Sequence, residues 1–197
     1  MRDKYGVESD SYCYSGSDVL INLLNIKNPH ELGEAETEFT AERYRTYESR
    51  QLSPQDFSFE HLQHLHHHLF QDLYEWAGKI REVDISKGAT RFCTCTRIEP
   101  EARKLFATIP ALARLNNEHD LITKVADLYC EMNILHPFRE GNGRAQRFFF
   151  EELLFTLGYE LRWPQISKET WIDANIAGYA LNLEPLKAIF SQAIIRR

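Results

Sequence analysis

No run of this chain is apolar for long enough to span a bilayer, and its first residues, MRDKYGVESDSY, are polar and charged, unlike a secretion signal. Both absences make a soluble chain in the compartment of its synthesis the expectation. Cysteine is scarce as well. The four, Cys13, Cys93, Cys95 and Cys130, have neither the CxxC pairing of a zinc site nor the density of a secreted disulfide scaffold, so reduced, packed thiols are expected. An excess of positive charge is also missing: 23 Lys and Arg stand against 29 Asp and Glu, a formal net charge of −6. That excludes a broad electrostatic surface for nucleic acid and leaves phosphate binding to a local arginine cluster. There is no GxxxxGK[ST] loop of the Walker kind, no internal repeat, no low-complexity run and no linker. With 197 residues, 43% of them hydrophobic, the chain reads as one soluble globular domain, 1–197.

What the chain does have is helical periodicity. After a polar, tyrosine-dotted N-terminal arm, 1–18, Leu20, Ile21, Leu23, Leu24 and Ile26 read as a short helix stopped by Asn28 and Pro29, followed by a longer surface helix over about 31–47. A further helical pattern runs from Phe59 to a stop at Gly78. It carries His61, His64, His66, His67 and His68, which without HExxH or nearby acids read as a solvated histidine-rich face rather than a metal site. The segments REVDI (81–85) and TRFCTCTRI (90–98) alternate around a Gly-containing turn and predict a β-hairpin. Such a hairpin either connects elements or offers an edge to an incoming peptide. Helical patterns resume at Glu99, are broken at Pro110, and resume again at Asp120 with apolar residues around most of the circumference up to His136, as in a central buried helix. A second central helix is expected from Asn142 or Gly143 to Leu157, capped by Gly158, and two more over 167–179 and 184–195.

Between the two central helices lies HPFREGNGRAQR, 136–147. The free N–H groups and positive dipole end at the start of the second helix suit an anion, and Gly141 and Gly143 free the preceding backbone to turn inward. Arg144 and Arg147, three residues apart, share a helical face and can reach two phosphate groups. A carboxylate beside phosphate, Glu140, calls for a divalent cation such as Mg²⁺ between them. His136 has the pKa class to accept a proton from an attacking hydroxyl, and Phe138 is an apolar anchor for the loop.

These twelve residues match the HPFx[DE]GNGRxxR signature at every defined position, so the chain resembles the Fic family of protein adenylyltransferases. The segment LHHHLFQDLYEWAGKIREVDISK (65–87) resembles the approach to that family's flap. The resemblance implies an all-α fold, a helical bundle around two central helices with a small β-hairpin flap (81–98), and a nucleotidyltransferase that moves AMP from ATP to a Tyr, Ser or Thr hydroxyl of a target protein. His136 looks like the base, Glu140 the Mg²⁺ ligand, and Gly141, Asn142 and Gly143 the anion nest, with Arg144 and Arg147 on the ATP phosphates. Lys87 and Phe92 resemble the flap's target clamp. The phosphotransferase branch carries lysine at the position of Gly143, so glycine there favours AMP transfer. No [ST]xxxE[GN] inhibitory helix is found in the chain. It resembles the class restrained by a separate small antitoxin, whose glutamate would meet Arg147, and whose targets resemble type II topoisomerases (DNA gyrase, topoisomerase IV). That implies a growth-arresting bacterial toxin of the cytoplasm; translocation into another cell stays open. Two alternatives remain: transfer of another nucleotide such as UMP, which phosphate-gripping residues do not discriminate, and a non-catalytic nucleotide-binding module. Neither direct nucleic-acid binding nor a membrane partner is expected.

Overall fold

Two helices at the centre set the frame of the computed structural model, which describes residues 11–197. Seven α-helices and four short strands follow in the order α1 (Pro29–Arg45), α2 (Phe59–Phe70), β1 (Ser86–Lys87), β2 (Thr90–Arg91), α3 (Ile98–Phe106), α4 (Glu118–Leu135), α5 (Asn142–Thr156), β3 (Tyr159–Leu161), α6 (Lys168–Tyr179), α7 (Glu184–Ala193) and β4 (Ile194–Arg196). The architecture is all-α. The expected first ten residues of the N-terminal arm lie outside the described residues.

Helix α4 starts where the Asn117 side chain accepts from the Asp120 N–H at 2.8 Å, with Glu118 and Asp120 complementing the helix dipole in the first turn. Leu121, Val125, Ala126, Leu128, Tyr129 and Met132 are buried on several sides of it, as expected for a central helix. Helix α5 is its partner, burying Phe148, Phe149, Phe150, Leu153 and Leu154, while α2 packs across α5 and α7 across α4. One contiguous core runs from Val19 to Ile194.

Several expectations need correction. The apolar group at 20–26 is not a helix: the Asn22 side chain donates to the carbonyls of Leu20 (2.9 Å) and Ile26 (2.7 Å) and accepts from the Ile26 N–H, closing a loop that leaves Ile21, Leu23 and Leu24 exposed. Asn28 and Pro29 do not stop a helix but begin α1, as its N-cap and first residue. Helix α2 ends at Phe70, not Gly78. The chain then folds into turns, with Asp72 drawn to Arg43 of α1 at 2.6 Å, and these turns still bury Leu73, Tyr74 and Ala77, which kept the helix-like period alive.

The flap hairpin is shorter than 81–98. Ser86 pairs with Arg91 and Lys87 with Thr90, the Phe92 N–H adds a bond to the Ile85 carbonyl at 3.3 Å, and there the ladder ends. The Asp84 carboxylate accepts from the Cys95 N–H at 2.7 Å and turns the chain into a 3-10 turn (Cys95–Arg97) that runs into α3. At the C-terminus α7 stops at Ala193, and Ile194–Arg196 pairs antiparallel with Tyr159–Leu161, a small sheet that no alternation announced. No helix among the described residues is long and apolar enough to cross a membrane.

Candidate active site

The motif spans the junction of α4 and α5. Pro137 cannot continue α4, and the chain leaves it through His136 in the left-handed region, φ 42°. A non-glycine residue there is strained and needs its surroundings to hold it. His136 is buried. Its Nδ1 lies 3.1 Å from the Asn133 carbonyl, which assigns the proton to Nδ1 and leaves the lone pair on Nε2. The Phe92 ring of the flap stacks on the imidazole, centroids 3.8 Å apart and planes 14° apart. Burial is the main cause that drives the His136 pKa down to about 3, outweighing the bond to Asn133 and the charge of Glu140, so the ring is neutral.

Beyond His136 the loop is pinned twice. The Asn142 side chain accepts from the Phe138 N–H at 2.9 Å and donates to the Phe138 carbonyl at 2.8 Å. Its amide therefore closes the loop, and what Asn142 can offer an anion is its backbone at the first position of α5. Phe138 is fully buried, the anchor expected of it, and stacks on His66 at 3.8 Å. The imidazole of His66, on α2, accepts from the Gly78 N–H at Nδ1 (2.8 Å) and donates from Nε2 to the Glu140 carbonyl (2.9 Å). Burial holds its pKa down at about 3 as well. The histidine-rich segment is a solvated face only in part: His64 and His67 are exposed, the other three are not. His66 is buried beneath the motif, His61 pairs with Glu152 at 2.9 Å, and His68 bonds the Arg43 carbonyl at 2.8 Å.

The two motif glycines differ. Gly141 has φ 77°, and a Cβ added to it would lie 2.2 Å from the Phe70 ring, so only glycine fits. Gly143 lies inside α5, has no left-handed backbone, and a Cβ on it would meet nothing within 4 Å; its freedom is not needed for the turn. The Glu140 carboxylate, buried, accepts from the Gly141 N–H at 2.9 Å and is 3.8 Å from Arg144. Arg144 pairs with Glu36 of α1 at 2.5 Å and lies over the Phe70 ring at 4.6 Å. The Tyr74 hydroxyl donates to the other Glu36 oxygen. Arg147 is exposed and bonds the Gly143 carbonyl at 3.3 Å.

All the candidate residues line one cavity of about 330 Å³: His136, Glu140, Gly141, Asn142, Gly143, Arg144 and Arg147 on the floor, with Lys87 and Phe92 from the flap. The far wall comes from α6, where Trp171, Ile172, Asn175, Ile176 and Tyr179 face it. Asn133 of α4 donates to Asn175 across the cavity edge at 3.1 Å. None of these wall residues was singled out from sequence, although the recurrence at 171, 175 and 179 is a one-turn stripe; nothing in it separates a ligand wall from a core face. Glu36, His66 and Arg81 were missed too. Apolar walls with convergent polar and cationic groups suit a nucleotide.

Among the described residues no group of three or more His, Cys, Asp or Glu is placed to hold a metal by itself. Among the described residues Glu140 is the one carboxylate lining the cavity. That donor set fits Mg²⁺ of the kind bound by one protein carboxylate together with substrate phosphates and water, and fits no all-protein metal cage.

Comparisons with known proteins agree with this geometry. The model of the Fic/DOC family matches residues 56–154. The chain is 41% identical to the probable protein adenylyltransferase Fic of Escherichia coli K12 over 196 residues, 98% of this chain and 96% of that one. Among solved structures, the VirB-translocated effector BepC from Bartonella tribocorum with bound AMPPNP superposes with a TM-score of 0.82 at 26% identity, covering 94% of this chain and 97% of that one. The ADP-bound N-terminal Fic domain of a Bep effector from Bartonella quintana gives 0.83 at 28% identity, over 94% and 95%. With its signature lining the cavity and its length matched almost end to end, the chain belongs to the Fic/DOC family and is a nucleotidyltransferase of the protein adenylyltransferase kind.

Proposed function

We propose that this chain transfers AMP from ATP to a hydroxyl side chain of a target protein, with His136 as the base. The observation that carries the reading is the convergence on one cavity of a neutral buried imidazole, the start of α5, two arginines and a flap. The triphosphate lies along the α5 N-terminus, where backbone N–H groups and the helix dipole favour anions, with Arg144 and Arg147 on its phosphates. The nucleoside takes the α6 wall. The target hydroxyl oxygen attacks the α-phosphorus, its proton passes to Nε2 of His136, and the bond to the departing pyrophosphate breaks. The Nδ1–H bond to Asn133 holds the imidazole in the tautomer that can accept that proton. Catalysis then rests on positioning and electrostatics more than on covalent chemistry.

Glu140 would hold Mg²⁺, and the ion would supply neutralisation of phosphate charge. Lys87 and Phe92 register the target segment against the flap edge. Gly143 supports AMP transfer through the family resemblance, since the phosphotransferase branch carries lysine at that position, and a Cβ there would meet nothing within 4 Å. Restraint comes from a separate antitoxin whose glutamate meets Arg147. Supporting this, Arg147 forms no ion pair among the described residues and borders a groove of about 300 Å³ between α1 and α5, lined by Thr37, Thr40, Tyr44 and Phe148. The target is a tyrosine of a type II topoisomerase, DNA gyrase or topoisomerase IV, and the outcome is growth arrest. The test is labelling from α-phosphate-labelled ATP with Mg²⁺ and a bacterial lysate. One or more proteins should become labelled by the wild-type chain and none by His136→Ala, and a topoisomerase subunit should be among them. A lysate left unlabelled by the wild-type chain would refute the activity.

A further inference from the structure

Among the described residues, two arginines are the largest fully buried side chains, Arg81 and Arg139, and the adenylyl-transfer reading leaves Arg81 unused. Arg81 lies just before the flap and its side chain is completely enclosed. An isolated buried charge is expensive and persists only where its donors are satisfied. The nearest carboxylate, Asp84, is 3.9 Å away and half exposed, too distant to be the main partner. Three backbone carbonyls take that role. Nε donates to the His136 carbonyl at 2.8 Å, Nη1 to the Val83 carbonyl at 2.6 Å, and Nη2 to the Cys93 carbonyl. The Arg81 N–H adds a bond to the Pro137 carbonyl at 2.9 Å.

Those carbonyls are not scattered. Val83 and Cys93 stand at the feet of the two flap arms, and His136 and Pro137 are the turn out of α4. One planar guanidinium, whose donors form a rigid fork, therefore spans the flap and the backbone of the candidate base. Two more observations fall on the same seam. The Cys93 N–H donates to the Ile134 carbonyl at 2.9 Å, and Phe92, one residue before, stacks on the His136 ring. His136 also needs outside support, because its backbone is left-handed; the charged donor on its carbonyl supplies it.

We propose that Arg81 is a positioning residue that locks flap and catalytic loop into one unit, so that a target segment seated on the flap is held in register with the His136 imidazole. It acts through His136 and the flap and touches neither nucleotide nor target. The proposal rests on the reading of His136 as the base. Arg81 is absent from the cavity lining, so its loss should leave nucleotide binding alone.

The test compares wild type with Arg81→Lys, which keeps the charge but not the fork, and Arg81→Gln, which removes the charge. The expected result is a transfer rate at saturating ATP down by ten-fold or more and a raised KM for target. The Kd for a non-hydrolysable ATP analogue should stay within two-fold and circular dichroism should be unchanged. Transfer within two-fold of wild type, or loss of nucleotide affinity in step with transfer, would overturn it. Should both variants fail to fold, native-state hydrogen exchange of the wild-type protein decides. The amides of Arg81, Phe92 and Cys93 are expected to open together, with one common urea dependence, and separate opening of flap and loop overturns the lock. A wild-type chain that transfers no AMP would instead refute the base assignment, and the exchange measurement would still report on the lock.

Discussion

The two glycines of the motif carry opposite expectations when each is replaced by alanine. At Gly141 the backbone is left-handed and a Cβ would sit 2.2 Å from Cζ and 2.4 Å from Cε2 of Phe70, a ring that is itself fully buried and under the Arg144 guanidinium. Forcing an L-residue into that conformation costs about 1–2 kcal/mol, and overpacking a filled core typically about 1–3 kcal/mol more, so Gly141→Ala should lose about 2–5 kcal/mol. At Gly143 the backbone is helical and a Cβ meets nothing within 4 Å, so Gly143→Ala should be neutral or gain up to about 1 kcal/mol. Urea unfolding of both variants, followed by tryptophan fluorescence, measures the difference as a shift in midpoint at constant m. The activities should separate differently. Gly141→Ala weakens transfer by distorting the loop that carries Glu140, whereas Gly143→Ala keeps its fold and weakens ATP binding, because the new methyl enters the cavity floor. A Gly141→Ala chain within about 0.5 kcal/mol of wild type would refute the steric reasoning, since that is the ordinary spread of innocuous surface changes.

Two other perturbations test the framework under the motif. His66→Phe keeps the stacking on Phe138 but strands the Glu140 carbonyl and the Gly78 N–H, and should cost about 1–3 kcal/mol per stranded group in urea unfolding; an unchanged midpoint would mean the imidazole bonds contribute nothing. Acid should act through His66 and His136 together. Both are held neutral in the fold to about pH 3, while the unfolded chain protonates them near 6.5, so the unfolded state binds more protons in between. Stability should therefore fall as pH drops below 6.5, by about 1.4 kcal/mol per pH unit for each histidine. A His66→Phe chain should show the shallower slope, and equal slopes would contradict the assignment.

The motif could be read from sequence because its candidate groups are contiguous: the imidazole, carboxylate, glycines and arginines fall within 136–147, and two apolar helices on either side announce themselves by period. What stayed hidden was long-range. An arginine at position 81, in a segment alternating like a strand, reads as solvent-facing, and its burial depends on a carbonyl 55 residues away. His66 sits among four other histidines, and only the approach of the motif backbone to α2 distinguishes it. Glu36 belongs to a mixed helix face until Arg144 reaches it. The sequence pattern extends the flap beyond Phe92 because Thr and Cys alternation satisfies a strand, while the bond from the Cys95 N–H to Asp84 turns the chain toward α3. At the C-terminus Ile194 continued the apolar period of α7, yet pairing with Leu161 claimed it for a strand.

The central claim is that this cavity moves AMP onto a protein hydroxyl with His136 accepting the proton. Intact-mass analysis of a labelled target, after incubation with the wild-type chain, Mg²⁺ and equal ATP and UTP, tests it directly. The account predicts one added AMP per modified site and no change with His136→Ala. A target that gains UMP or a bare phosphate, or that gains AMP equally well from the His136→Ala chain, would contradict it.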